Sequence, residues 1–402
     1  MDTFINVVGV VLFALGIAVS IALHEFGHLL TAKAFGMKVT RYFIGFGPRI
    51  FSFRKGETEY GLKAIPAGGF CEITGMTALE EVHPDDRKRA FYNQSIWKRV
   101  IVLAAGSITH FILGFIILLI LAMTFGLPNS RDLPVLSEVT DCVPIANVTD
   151  GSCPAGSPSP AKNAGLRPGD EIVSIAGKPT PTWPDMQKVT RELSGPTEFK
   201  ILRDGKEMTL SVDVAKVTRE LADGKGGKET KQIGAIGVMP KRAFTYGLID
   251  AIPATVVYTG ETFVNTWKGL MRFPERIPAV VKAIGGGERD LDTPISVVGA
   301  SRLGGDAAER GLWEIFILML AGLNFFVGVF NLLPLLPLDG GHIAVNLYER
   351  VRNWIRKLRG KPAGAPVDYL RLLPLTYVVI FIGGAITLLT VTADIVNPIR
   401  LQ

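Results

Sequence analysis

Apolar residues gather in four runs, at 4–23, 100–127, 312–333 and 372–393. Each is close to the ~20 residues that a helix needs to cross a hydrocarbon core. The pattern predicts a polytopic α-helical membrane protein with four transmembrane helices. Between the second and third runs lies a long polar stretch with Gly and Pro, which predicts an inserted water-soluble domain. The first run passes into His24–Leu30 without a proline, so its helix continues to about Phe35, where Gly36 caps it. Residues 39–70 mix aromatic and β-branched residues with turn signals and predict short strands. They either dip into the bilayer or form an ordinary cytoplasmic hairpin, and the pattern fits both. Residues 73–95 are polar and read as a solvated loop or helix face. Within the insert, 163–177 reads turn, strand, turn. Strand-like 198–202, the turn Asp204-Gly205, a strand at 208–214 and the segment 233–238 follow. Residues 251–271 hold only Glu261 and Lys268 as charges. A fifth crossing there would carry the basic stretch 350–371 and Asp339 to the membrane face opposite His24, so the segment is read as an amphipathic helix on the outer surface.

Composition supports the membrane reading: 48% of the 402 residues are hydrophobic and mean hydropathy is positive. The N-terminus has neither the basic region nor the cleavage site of a signal peptide, so the first run is expected to stay. Lys and Arg cluster at 33–99 and 350–371. Basic loops are retained in the cytoplasm, which places the N-terminus, the insert and the C-terminus outside. The net charge of +6 then calls for no nucleic acid; it reflects retained loops and contact with anionic lipid. Cys142 and Cys153 fall outside and Cys71 inside, which permits a Cys142–Cys153 disulfide, two free thiols being the alternative.

The chemistry starts at His24-Glu25-Phe26-Gly27-His28. Two imidazoles at i and i+4 lie on one helix face at the separation a single Zn²⁺ needs. Zinc lowers the pKa of a bound water to about 7, and an adjacent carboxylate can take its proton; Glu25 suits that role. The bland reading is that these residues cap the inner end of a span, but ionisable groups at membrane depth are costly. A catalytic zinc wants a third protein ligand and an open position. Near the inner end of the third run, Asn331-Leu332-Leu333-Pro334-Leu335-Leu336-Pro337-Leu338-Asp339-Gly340-Gly341 supplies Asp339 at the membrane face of His24. Its prolines break the helix and its glycines permit a sharp turn.

HExxH near the end of a first span, paired with NxxPxxPLDG in a later one, resembles the signature of the site-2 proteases, intramembrane zinc metalloproteases of family M50. The resemblance implies that His24, His28 and Asp339 bind one zinc, that Glu25 is the general base, and that Asn331 helps to position substrate or the developing oxyanion. It extends to Gly45-Phe46-Gly47-Pro48, to residues 65–70 and to Thr293-Pro294-Ile295-Ser296; residues 163–177 resemble a PDZ domain. A single PDZ-like domain and this length are most similar to actinobacterial members. That implies a multi-pass protein of the bacterial inner membrane, with its active site toward the cytoplasm and the PDZ-like domain outside. Substrates would be single-pass proteins already trimmed outside, typically anti-sigma factors. The PDZ-like domain would bind a peptide C-terminus or exclude bulky substrates.

The expected division is 1–36, first transmembrane helix with HExxH; 37–97, membrane-associated β hairpins and loop; 98–128, second helix; and 129–240, extracytoplasmic α+β PDZ-like domain. A surface amphipathic segment at 241–310, the third helix with NxxPxxPLDG at 311–342, a basic cytoplasmic segment at 343–371 and the fourth helix with a tail at 372–402 complete it. One departure concerns the second span. Family members often carry Gly-Pro-x-x-Asn there, where this chain has Gly106-Ser107-Ile108-Thr109-His110. His110 either packs or hydrogen-bonds between helices, or touches substrate or the metal site. Asn324, two turns before Asn331, either faces the site or bridges helices. His342 is left out of the ligand set. Two rivals stand beside the protease: a catalytically silent PDZ-bearing scaffold, needing neither Glu25 nor Asp339, and a metal transporter, which would carry more polar residues along its spans.

Overall fold

A computed structural model describes residues 2–76, 80–143, 153, 156–222, 228–290, 292–365 and 367–401. The chain divides into two compact units, one of residues 1–121 with 248–402 and one of residues 122–247.

In the larger unit, α1 (Asp2–Ala34) ends at Gly36, whose φ of 76° is the left-handed conformation expected of a C-terminal glycine. Next, β1 (Val39–Lys55) and β2 (Thr58–Ile73) form a long hairpin. It is bent so that one stretch pairs twice: Phe43 opposes both Phe70 and Gly61. Phe46, Ile50, Phe51, Phe53, Leu62 and Ile65 remain exposed along the hairpin. Residues 84–93 form two short 3-10 turns before α2 (Ile96–Thr124).

The insert forms its own core. Strands β3 (Leu127–Pro128) and β4 (Leu136–Val139) precede α3 (Pro160–Asn163). Then come β5 (Glu171–Ile175), β6 (Lys178–Pro179), α4 (Trp183–Glu192), β7 (Gly195–Arg203), β8 (Lys206–Ala222) and β9 (Lys228–Ala235). Two further short strands, β10 (Val238–Pro240) and β11 (Ala243–Phe244), close the unit by pairing with β4 and β3. The main sheet runs β6-β5-β7-β8-β9, consistent with a PDZ-like insert. Strand β7 alternates as a half-buried strand should, with Thr197, Phe199 and Ile201 inside and Glu198 and Lys200 outside. Phe199 and Ile201 pack with Ile172, Ile175, Val212 and Met186. The β7–β8 turn is Asp204-Gly205 with φ of 49° and 75°, the primed geometry a two-residue hairpin favours. Cys142 and Cys153 are disulfide-bonded. Parts of the expected 129–240 domain, 144–152, 154–155 and 223–227, lie outside the described residues.

Returning to the larger unit, α5 (Leu248–Ile284), α6 (Val297–Glu309), α7 (Trp313–Asn331), α8 (Asp339–Leu358) and α9 (Tyr369–Val396) follow. Among the described residues, four helices are long and apolar enough to cross a membrane: α1, α2, α7 and α9. The chain is therefore a multi-pass membrane protein with four spans. α5 is not among them; its Phe263 packs on Phe111 of α2 and Phe325 of α7, at centroid distances of 4.7 and 6.0 Å. Small residues bring α6 against α1: a Cβ at Gly304 would stand 2.7 Å from Phe13 and one at Gly305 2.6 Å from Val10. A buried polar latch joins α6 to the end of α9. Asp394 accepts hydrogen bonds from Arg289, from the Ser296 backbone N–H and from the Ser296 hydroxyl. One expectation is corrected here. Gly340 and Gly341 do not form a sharp turn; they lie buried in the first turn of α8, where their missing side chains let it close on the backbone of Leu332 and Leu335.

Candidate metal centre

His24 and His28 sit one turn apart near the end of α1, 7% and 8% exposed. The His28 Nδ1–H donates to the Val102 carbonyl of α2 at 2.7 Å, which fixes its tautomer and leaves Nε2 as the free lone pair. That Nε2 lies 3.1 Å from His24 Nε2. Asp339, the first residue of α8, brings Oδ2 to 3.3 Å from His24 Nε2 and 3.4 Å from His28 Nε2. The Asn331–Leu338 segment between α7 and α8 thus returns a carboxylate to the imidazole pair.

The three atoms fit a tetrahedral zinc. With metal–ligand bonds of about 2.0–2.1 Å, two ligands of a tetrahedron stand about 3.3 Å apart, and the separations here are 3.1, 3.3 and 3.4 Å. They form a triangle that leaves a fourth position for water. α2 packs directly on the two rings: a Cβ at Gly106 would stand 2.5 Å from the Nε2 atoms of both histidines.

Glu25, partly buried, follows His24 on α1. It lies against β2, its Cγ 3.0 Å from where a Cβ at Gly69 would stand. Asn331 is the partly buried last residue of α7. His110 and Asn324 join α2 to α7 by a hydrogen bond of 2.8 Å, the interhelical alternative of the sequence reading. The His110 ring also comes within 5.0 Å of the His24 ring, centroid to centroid. His342 stacks on Tyr369 at 5.7 Å, outside the cluster.

Sequence reasoning gave no role to the Val102 carbonyl, to Gly106 or to Gly69. A backbone acceptor leaves no trace in the sequence; for Gly106 the signals were a glycine within an apolar span and its match to the first position of Gly-Pro-x-x-Asn. Away from the membrane, bidentate pairs brace the fold: Arg89 holds the Glu57 carboxyl below its ordinary range, and Asp170 raises Arg203.

A helix-borne HExxH whose imidazoles meet an aspartate, on the first of four spans, defines a membrane metallopeptidase. The model of peptidase family M50 matches residues 12–375, and the chain belongs to that family as one of its zinc metalloproteases. It is 48% identical over 401 residues to zinc metalloprotease Rip1 of Mycobacterium tuberculosis, covering 98% of this chain and 99% of that protein. Rip1 of Mycolicibacterium smegmatis is 47% identical, with 98% of each chain covered.

Proposed function

We propose that the chain hydrolyses peptide bonds within the transmembrane segments of single-pass membrane proteins, with His24, His28 and Asp339 as zinc ligands and Glu25 as general base. The observation that carries this is the triangle of 3.1–3.4 Å donor distances at the end of a span. When bound, zinc supplies Lewis acidity and a water acidic enough to attack at neutral pH. The Glu25 carboxylate takes the proton of the attacking water and passes it to the leaving amine. The Asn331 amide donates a hydrogen bond that positions the substrate carbonyl or its developing oxyanion.

A substrate helix must unwind before its carbonyl reaches such a site, and its freed backbone groups then need partners. Residues 69–73 of β2 pair with β1 on one side only and pass Glu25 at Gly69. An unwound substrate adds there as a further strand. Proline substitutions along residues 69–73 test this step; cleavage undiminished by all of them sinks it.

The two basic segments lie in the cytoplasm and the PDZ-like insert outside, in the division of segments given above. Substrates are pre-trimmed anti-sigma factors of a bacterial inner membrane, and the insert reads a substrate C-terminus or filters by size. The test is to reconstitute the protein in vesicles with a single-pass substrate and map the products by mass spectrometry. A cut inside the apolar segment, abolished by chelation, supports the proposal. Cuts only in flanking loops overturn it.

A further inference from the structure

Two buried nitrogens beside the triangle have no hydrogen-bond partner among the described residues, and they are complementary. The first is His24 Nδ1. With His24 Nε2 turned to the ligand triangle, Nδ1 must carry the ring proton, so it is a buried donor. The second is His110 Nε2, on a ring only 1% exposed. Its protonation follows from a chain of contacts. The Asn324 Nδ2 donates to the Leu320 carbonyl at 2.9 Å, which turns Oδ1 toward His110. That oxygen accepts from His110 Nδ1 at 2.8 Å, so the proton sits on Nδ1 and Nε2 of the neutral ring is a lone pair.

The rings are 5.0 Å apart and tilted by 46°. An N–H···N bond of about 2.9 Å, plus about 1.1 Å from each nitrogen to its ring centre, gives a separation of about 5 Å. The observed ring separation is therefore the one that a single such bond requires. The pattern repeats what α2 already does for the other histidine. Val102, Gly106 and His110 occupy positions i, i+4 and i+8 on one face of α2: a carbonyl for His28, space for both rings, and an imidazole beside that of His24.

We propose that His110 is a positioning residue for the metal site, its Nε2 accepting the His24 Nδ1–H. Leu320, Asn324, His110 and His24 then form one hydrogen-bonded line that fixes the tautomer and orientation of the first ligand from α7. This rests on the zinc-ligand reading above. It differs from a packing role, which needs no acceptor, and from substrate contact, which leaves metal affinity untouched.

The experiment measures zinc affinity of the purified full-length protein by competition with a chelator series, with thermal unfolding as the control for folding. His110→Leu keeps bulk and removes the acceptor; zinc binding is expected to weaken 10–100-fold, the usual effect of losing a ligand's outer partner. His110→Gln restores an acceptor and is expected within about threefold of wild type. Asn324→Leu weakens binding in the same direction, and the double variant His110→Leu, Asn324→Leu is no weaker than His110→Leu. Folded His110→Leu with wild-type zinc affinity overturns the proposal even if cleavage falls, as does His110→Gln binding as weakly as His110→Leu. Wild type that binds no zinc overturns the ligand reading itself, and this inference with it.

Discussion

Gly106→Ala is a one-carbon change aimed at the metal centre. The added Cβ would stand 2.5 Å from His24 Cε1, His24 Nε2 and His28 Nε2, where ordinary contact begins at 3.4 Å. The rings must therefore give by about 0.9 Å. The backbone has little room to yield, because α1 is pressed on the same helix at Gly27, whose own Cβ would stand 2.7 Å from the Ala105 carbonyl. Metal bonds tolerate displacements of about 0.2 Å, so the ligand triangle opens beyond use. We expect zinc affinity to drop at least about 100-fold, or about 2.8 kcal/mol, while overpacking costs the fold about 1–3 kcal/mol. Gly384→Ala, on α9 with nothing within 4 Å, is the control and should keep zinc. The assay is chelator competition together with a melting curve for each variant. A folded Gly106→Ala protein that holds zinc as tightly as wild type refutes the placement of α2 over the imidazoles.

Gly69→Val should cut kcat by tenfold or more with zinc content unchanged, because its side chain presses on Glu25 and on the Phe43 carbonyl, each already within about 3 Å; equal turnover contradicts this. Asp394→Ala strands Arg289, whose side chain is 2% exposed, and should cost about 3–5 kcal/mol, read as a lower unfolding temperature in detergent. Glu57 carries a pH signature. Its carboxyl is held below the ordinary 4.5 by Arg89, so its contribution is present above that value and lost as pH falls through the lowered one. The melting-temperature gap between wild type and Glu57→Gln should therefore narrow below about pH 4.5, and a gap constant from pH 6 to pH 3 contradicts the pairing.

The four spans were legible to within a few residues because an uninterrupted apolar run of membrane length has few alternatives. The insert's Asp204-Gly205 hairpin was legible for a local reason, since both positions take positive φ. α4 was not read, although Thr182 accepts from the Asp185 N–H and takes a cap position before Pro184; a ten-residue helix in a polar stretch gives a weak period. α8 was read only as a basic segment although its apolar and charged residues recur at helical spacing, a period legible in the sequence that the cluster of Lys and Arg overshadowed. HExxH and the motif ending at Asp339 marked the candidate ligands, but their convergence is a tertiary fact across more than 300 residues. The latch from Arg289 to Asp394 likewise joins residues 105 apart, and no local pattern announces it.

The most direct test of the central claim compares zinc content and cleavage of a transmembrane substrate for wild type, Glu25→Gln and Asp339→Ala. The account predicts that wild type cuts, that Glu25→Gln keeps zinc and does not cut, and that Asp339→Ala loses both. Cleavage by Glu25→Gln at the wild-type rate, or a wild type that cuts without zinc, contradicts it.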